Sequence, residues 1–310
     1  MRTASSIPAL LALLAALSGP VAMAASRDVD EHRSADPQGQ VEIINVGGNI
    51  DVIGWDKPEI EVAGTLGSDA DRLDIGSVGN RTTIRVVDSD SDSDDQHWRI
   101  RLRLRHEAIL SVHVPRGSSV SASLVSANLS VRDIQGNQEL QTVSGNVTTT
   151  AAHDVRIHTV SGDVHLNAGP ESRLLELGTV SGDLDVDGGH GDINVNTVSG
   201  EGKLSLGAIT HASIRSVSGN YQIRAALASE GLLEGQSVSG DFTIDFTGGP
   251  PAADFELHTF SGDLKTCFGQ KATHESYGPG SRLSFRQGTG SAQVRIDTHS
   301  GDVSLCGQSS

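Results

Sequence analysis

The chain has 310 residues, 36 of them glycine, with only 3% aromatics and a formal net charge of −16. That charge disfavours nucleic acid and anionic membranes as partners, and so few aromatic rings leave few platforms for sugar stacking. The two cysteines and scattered histidines show no zinc-type spacing, so a single disulfide is the only cross-link the composition suggests.

Arg2, the apolar run Ile7 to Leu17 and the small residues Ala22-Met23-Ala24 make the three parts of a secretory signal peptide over residues 1–24. The run is too short for a retained span, and no second one follows. We therefore expect an exported chain, periplasmic or extracellular, with no transmembrane anchor. Cleavage before Ala25 would leave 22 basic against 39 acidic side chains, a charge of −17. Residues 25–38 are polar, contain Pro37 and read as a flexible leader.

From residue 39 to 310 apolar residues alternate with polar ones over short runs, the period of half-buried strands. Val41 to Asn45 and Ile50 to Val52 flank the turn-like Val46-Gly47-Gly48-Asn49; Ile60, Val62, Ile84 and Val86 continue more loosely, as atypical N-terminal coils to about residue 115. Between them lies Asp88-Ser-Asp-Ser-Asp-Ser-Asp-Asp95, followed by Arg99, Arg101, Arg103 and Arg105. Asp and Ser at alternate positions could ligate calcium. The glycine and terminal glutamate of a calcium loop are missing, so we read a solvated acidic loop.

Regular coils begin near residue 116. The pentapeptide Thr159-Val160-Ser161-Gly162-Asp163 recurs with small changes, placing glycines at Gly145, Gly162, Gly182, Gly200, Gly219, Gly240, Gly262 and Gly301. Successive steps are 17, 20, 18, 19, 21 and 22 residues, then 39. A period near twenty predicts an all-β single-stranded parallel β-helix, a β-solenoid with coils of about 17–22 residues. Ser-Gly-Asp/Asn supplies the corner: glycine takes a positive φ and the following side chain hydrogen-bonds nearby amides. Ile157, Leu177, Val195, Ile214, Leu233 and Leu257 should stack as one inner row before successive corners.

The corner acids Asp163, Asp183, Glu201, Asp241, Asp263 and Asp302 could line up as a cation ladder, but Asn146 and Asn220 interrupt it, and turn chemistry explains the residue type. No serine sits in a nucleophile elbow, and no acid pair departs from the repeat. His153, His158, His165 and His258 read as surface side chains. We therefore assign no catalytic, cofactor-binding or metal-ligating residue. Cys267 and Cys306 each lie five residues after a corner glycine, so a disulfide between them would make the corners at Gly262 and Gly301 neighbours.

The Thr-Val-Ser-Gly-Asp/Asn coils, the segment Val112-x-Val114-Pro115-x-Gly117 and the ending Gly290 to Val303 resemble the bacterial putative-adhesin family of uncharacterised β-solenoid proteins, over about residues 40–306. The resemblance implies a parallel β-helical domain, often exported or tethered, and no catalytic residues. Three functions are expected in order: an exported non-enzymatic, adhesin-like, structural or scaffolding protein of the cell envelope; an accessory of an envelope-stress system; a polysaccharide-active enzyme. The expected partner is a protein or cell surface, with end-to-end or edge self-association open.

Overall fold

The computed structural model describes residues 26–67, 70–88, 108–274 and 280–308. The expected signal peptide (1–24), most of the acidic run from Asp88 to Asp95 and the arginine-alternating stretch fall outside these residues. Every element is a strand, and all belong to one continuous hydrogen-bonded sheet. No helix among the described residues is long and apolar enough to cross a membrane.

Each regular repeat contributes two strands meeting at the Ser-Gly-Asp corner. In the repeat around Gly162 they are Val155–Ser161 and Val164–Ala168, with burial alternating along both. One such pair cannot bury its own apolar side, so it is stable only against its neighbours. Val155–Ser161 accordingly pairs in parallel with Gln138–Ser144 on one side and Leu174–Ser181 on the other, with Thr142, Thr159 and Thr179 in register. Val164–Ala168 does the same between Val147–Ala151 and Leu184–Gly188. The interior therefore consists of columns of equivalent side chains, with Leu140, Ile157, Leu177, Val195 and Ile214 each at 1% exposure or less.

The inner row differs from expectation at one position. Gly235, not Leu233, pairs with Ile214 and Ile296, and Leu233 lies two residues earlier opposite Ala212 and Val294. A Cβ on Gly235 would lie 2.7 Å from Ile296 Cδ1 and 3.2 Å from the Phe242 ring. The missing side chain is what lets the phenyl ring lie inside. Gly202 makes the same allowance for Tyr221, whose ring would lie 2.2 Å from such a Cβ. Tyr221 stacks on Phe242 at 5.8 Å, and its hydroxyl bonds Thr197, which donates to Ser216 Oγ at 3.1 Å. Burial holds the Tyr221 hydroxyl above its ordinary pKa.

Stacking order departs from chain order at both ends. The last repeat, Ala292–Ser300 and Val303–Gln308, lies between the repeats cornered at Gly240 and Gly262: Ala292–Ser300 pairs with both Tyr221–Ser239 and Ala253–Ser261. The long final step therefore carries the chain out and back. Ser281–Gln287 runs antiparallel along Ala253–Ser261 and closes that end, so the returning repeat takes the slot inside it. Gly301 and Gly262 are neighbours, and Cys267 and Cys306 are disulfide-bonded with Cα atoms 5.0 Å apart.

At the other end, Gln40–Trp55 pairs directly with Ser119–Ile134, 79 residues on. What lies between forms outer layers instead of further coils in sequence. Arg81–Asp88 and Ala108–Pro115 run parallel to Gln40–Trp55, and Ala70–Val78 and Glu59–Leu66 lie antiparallel outside them. Arg27–Ser34, expected within the flexible leader, is a further strand, antiparallel to Glu59–Leu66 over eight residue pairs. It escapes the hydrophobic pattern because it is an edge strand held by backbone hydrogen bonds, with its side chains mostly exposed.

Two predictions follow from the corners and the closing disulfide. Gly182 has φ +152°, and its Cβ would lie 2.2 Å from the Gly162 carbonyl oxygen, whereas Gly248, at φ +83°, has no atom within 4 Å of such a Cβ. In urea unfolding, Gly182→Ala should cost more than about 3 kcal/mol and Gly248→Ala about 1 kcal/mol; equal costs would mean that the close approach is not limiting. Separately, Cys306→Ser opens a link across 39 residues and should destabilise the protein by about 4 kcal/mol on the chain-entropy estimate. Non-reducing peptide mapping of the parent chain should recover the two cysteine peptides joined.

Candidate interaction surface

The geometry of the corner is repeated at each level of the stack. The threonine of Thr-Val-Ser-Gly-Asp turns inward: Thr142, Thr159, Thr179, Thr259 and Thr298 are all at 5% exposure or less. The glycine then brings one corner backbone against the next. A Cβ on Gly145, Gly162, Gly182, Gly200, Gly219, Gly240, Gly301 or Gly262 would lie 1.9–2.2 Å from the carbonyl oxygen of the preceding corner, beginning at Ala127. Six of the eight have φ between +135° and +152°. Gly262 and Gly301 lie outside that positive-φ set, so at those two corners close approach, not turn conformation, demands glycine.

The residue after glycine links corners to each other, where the sequence suggested a local turn bond. Oδ1 of Asn128 accepts from the Asn146 amide, Asn146 from Asp163, Asp163 from Asp183, and Asp183 from Glu201, at 2.8–3.1 Å. Asn220 accepts from the Asp241 amide, Asp241 from Asp302, and Asp302 from Asp263. Asp and Asn share this acceptor, which is why they alternate freely in the column. Asp163, Asp183, Asp241 and Asp302 are thus occupied as structural acceptors, and no group of three or more His, Cys, Asp or Glu among the described residues could hold a metal. The histidines stay apart: His165 faces Asp185 at 3.9 Å and His258 faces Asp297 at 3.3 Å.

The valine of the motif is the feature that sequence reasoning passed over. Val125, Val143, Val160, Val180, Val198, Val217 and Val238 are 44–53% exposed, with Val46 at 38% and Phe260 at 46%. Pairing of the flanking residues puts all of them in one column, in the order 46, 125, 143, 160, 180, 198, 217, 238, 299, 260. His299 fills the valine position of the inserted repeat and stacks on Phe260, with centroids 4.9 Å apart and planes 3° from parallel. The column is an apolar stripe running the length of the stack. On one side lie the exposed serines Ser144, Ser161, Ser181, Ser199, Ser218 and Ser239. A signal was present: relative to inward Ile157 and Thr159, Val160 falls in the outward phase, so an apolar residue recurs where the alternation calls for a polar one.

The acceptor column yields a direct test at Asp183. Asp183→Asn keeps Oδ1 and should leave stability within about 0.5 kcal/mol, whereas Asp183→Ala strands the Glu201 amide and should cost about 1 kcal/mol or more in thermal unfolding. A loss with Asn equal to that with Ala would assign the effect to charge.

Comparison with known proteins bears on identity. No curated protein matches the chain. Among solved structures it is similar to a putative adhesin from Bacteroides fragilis, at 11% identity and TM-score 0.41, covering 90% of this chain and 97% of that one. A putative adhesin from Parabacteroides distasonis matches at 12% identity and TM-score 0.31, with the same two coverages. The family model described as Toastrack DUF4097 matches residues 49–306, from the first Gly-Gly corner through the inserted last repeat, and the chain belongs to that family.

Proposed function

We propose that the protein is an exported, non-enzymatic β-solenoid that serves as an adhesin-like or scaffolding component of the cell envelope, with the valine stripe as its partner-facing surface. The solenoid reading rests on parallel pairing between residues 17 to 21 positions apart through the regular repeats. Export rests on the charged, apolar and small-residue succession in residues 1–24, and the cross-linked cysteines fit an oxidising compartment.

One observation carries the binding role: an exposed apolar residue stands in the stripe at every regular repeat but the inserted one, where His299 stacks on Phe260, while the rest of each corner is fixed by backbone contacts. Soluble monomers rarely expose a long contiguous apolar patch unless something covers it. The test compares purified parent protein with Val160→Ser/Val198→Ser/Val238→Ser for retention on intact cells and envelope of the source bacterium. Retention should fall at least about tenfold with an unchanged melting temperature. Equal retention would refute the stripe as the partner-facing surface, and release of sugars from envelope polysaccharide would overturn the non-enzymatic reading.

A further inference from the structure

The stripe also constrains what can lie on it, and we propose that its occupant is the stripe of a second copy of this chain, packed in a two-fold symmetric dimer. This rests on the reading of the stripe as a partner-facing surface and names the partner. Three properties of the surface support it: spacing, area and charge.

Rungs of a stack repeat at about 4.8 Å, so ten rungs, nine with an apolar knob and one with the His299 ring, span roughly 45 Å. A helix laid along them repeats each turn at about 5.4 Å and slips half a step out of phase within about four rungs. A second stripe has the same repeat by construction, so its side chains drop between those of the first along the whole length. A two-fold axis near the middle of the column, close to Val180 and Val198, pairs Val46 of one copy with Phe260 of the other and leaves no open end.

Area is consistent with this. Fully covering one apolar side chain of this size removes on the order of 100 Å² from water, so the nine roughly half-exposed apolar residues of the column offer about 450 Å². A standard interface takes about 800 Å² from each partner, and homodimer interfaces are about 65% apolar. The stripe supplies most of that apolar share, and the serine column and the outer row supply the polar rim.

Charge decides whether two like molecules can approach. The whole chain is strongly acidic and repels itself at long range. Next to the stripe, however, one flank is mostly serine, and the other, from Gln141 through His158, Gly178, Asn196 and Arg215 to Gln236, carries no negative charge; the one carboxylate in that row is Asp297 beside the inserted repeat, which faces His258 at 3.3 Å. The corner carboxylates lie beyond the serines, and those of Asp163, Asp183, Asp241 and Asp302 accept backbone amides.

Sedimentation of the purified full chain over a concentration series tests the pairing. The parent should populate a dimer in the micromolar range, and Val180→Ser/Val198→Ser should weaken it at least about tenfold. Val78→Ser, at an 85% exposed valine off the stripe, should leave it unchanged. Single Val180→Cys and Phe260→Cys variants fix the geometry: oxidation should join two copies through position 180 and not through position 260. A parent that stays monomeric well above micromolar, or a dimer indifferent to the stripe pair, overturns the proposal. If the stripe variants then still lose envelope retention, the binding reading stands and only the identity of its occupant is wrong.

Discussion

Everything in this fold depends on corner backbones touching. From Ala127 through Gly145, Gly162, Gly182, Gly200, Gly219 and Gly240 to Gly301 and Gly262, each glycine sits where any side chain would strike the carbonyl of the corner before it. That contact sets the rise between repeats to the spacing of a parallel ladder and leaves room for one further linker, the side-chain oxygen of Asp or Asn reaching the next amide. Two weak, exposed hydrogen-bonding groups therefore become two columns, one from Asn128 to Glu201 and one from Asn220 to Asp263. Once the corners are in register, the threonines, the two inner apolar rows and the outward valines fall into columns as well, because the side-chain period of a strand is two.

The same constraint explains what varies. Interior positions exchange volume between neighbours: the aromatic residues Tyr221 and Phe242 are admitted by Gly202 and Gly235. Corner glycines cannot exchange volume, so the differences lie at the next position, mostly Asp for Asn, with Glu201 the exception. The outward valine column is free of both demands. Nothing in the packing requires an apolar residue there, which makes its recurrence from Val46 to Phe260 a property of the surface and not of the core.

Much of this was legible in the chain. Glycine spacing gave the repeat, alternation gave the buried faces, and the matching offsets of Cys267 and Cys306 placed the last two corners side by side. Pairing order was not legible. A repeat specifies a shape that fits any other copy of itself, so nothing in Ala292–Gln308 marks it as belonging between the Gly240 and Gly262 repeats rather than after them; the outer side of Ala253–Ser261 is occupied by the antiparallel Ser281–Gln287, which leaves the inner side for the returning repeat. Arg27–Ser34 was hidden for a different reason. An edge strand with both faces largely in water carries no hydrophobic period to read. The valine stripe was visible only as an apolar residue in the outward phase, because valine carries no charged or reactive group to mark a site.

Residue-resolved amide exchange at the corners tests the account most directly. The amides of Asp163, Asp183, Glu201, Asp241 and Asp302 belong to surface turns, yet each donates to the Oδ1 of a neighbouring corner. If stacked corners hold the fold, these amides exchange only with the global opening of the stack, as slowly as those of buried Ile157 and Val195. Exchange at the rate of free surface turns, with the flanking strands still protected, would show that the corners follow the stack instead of holding it.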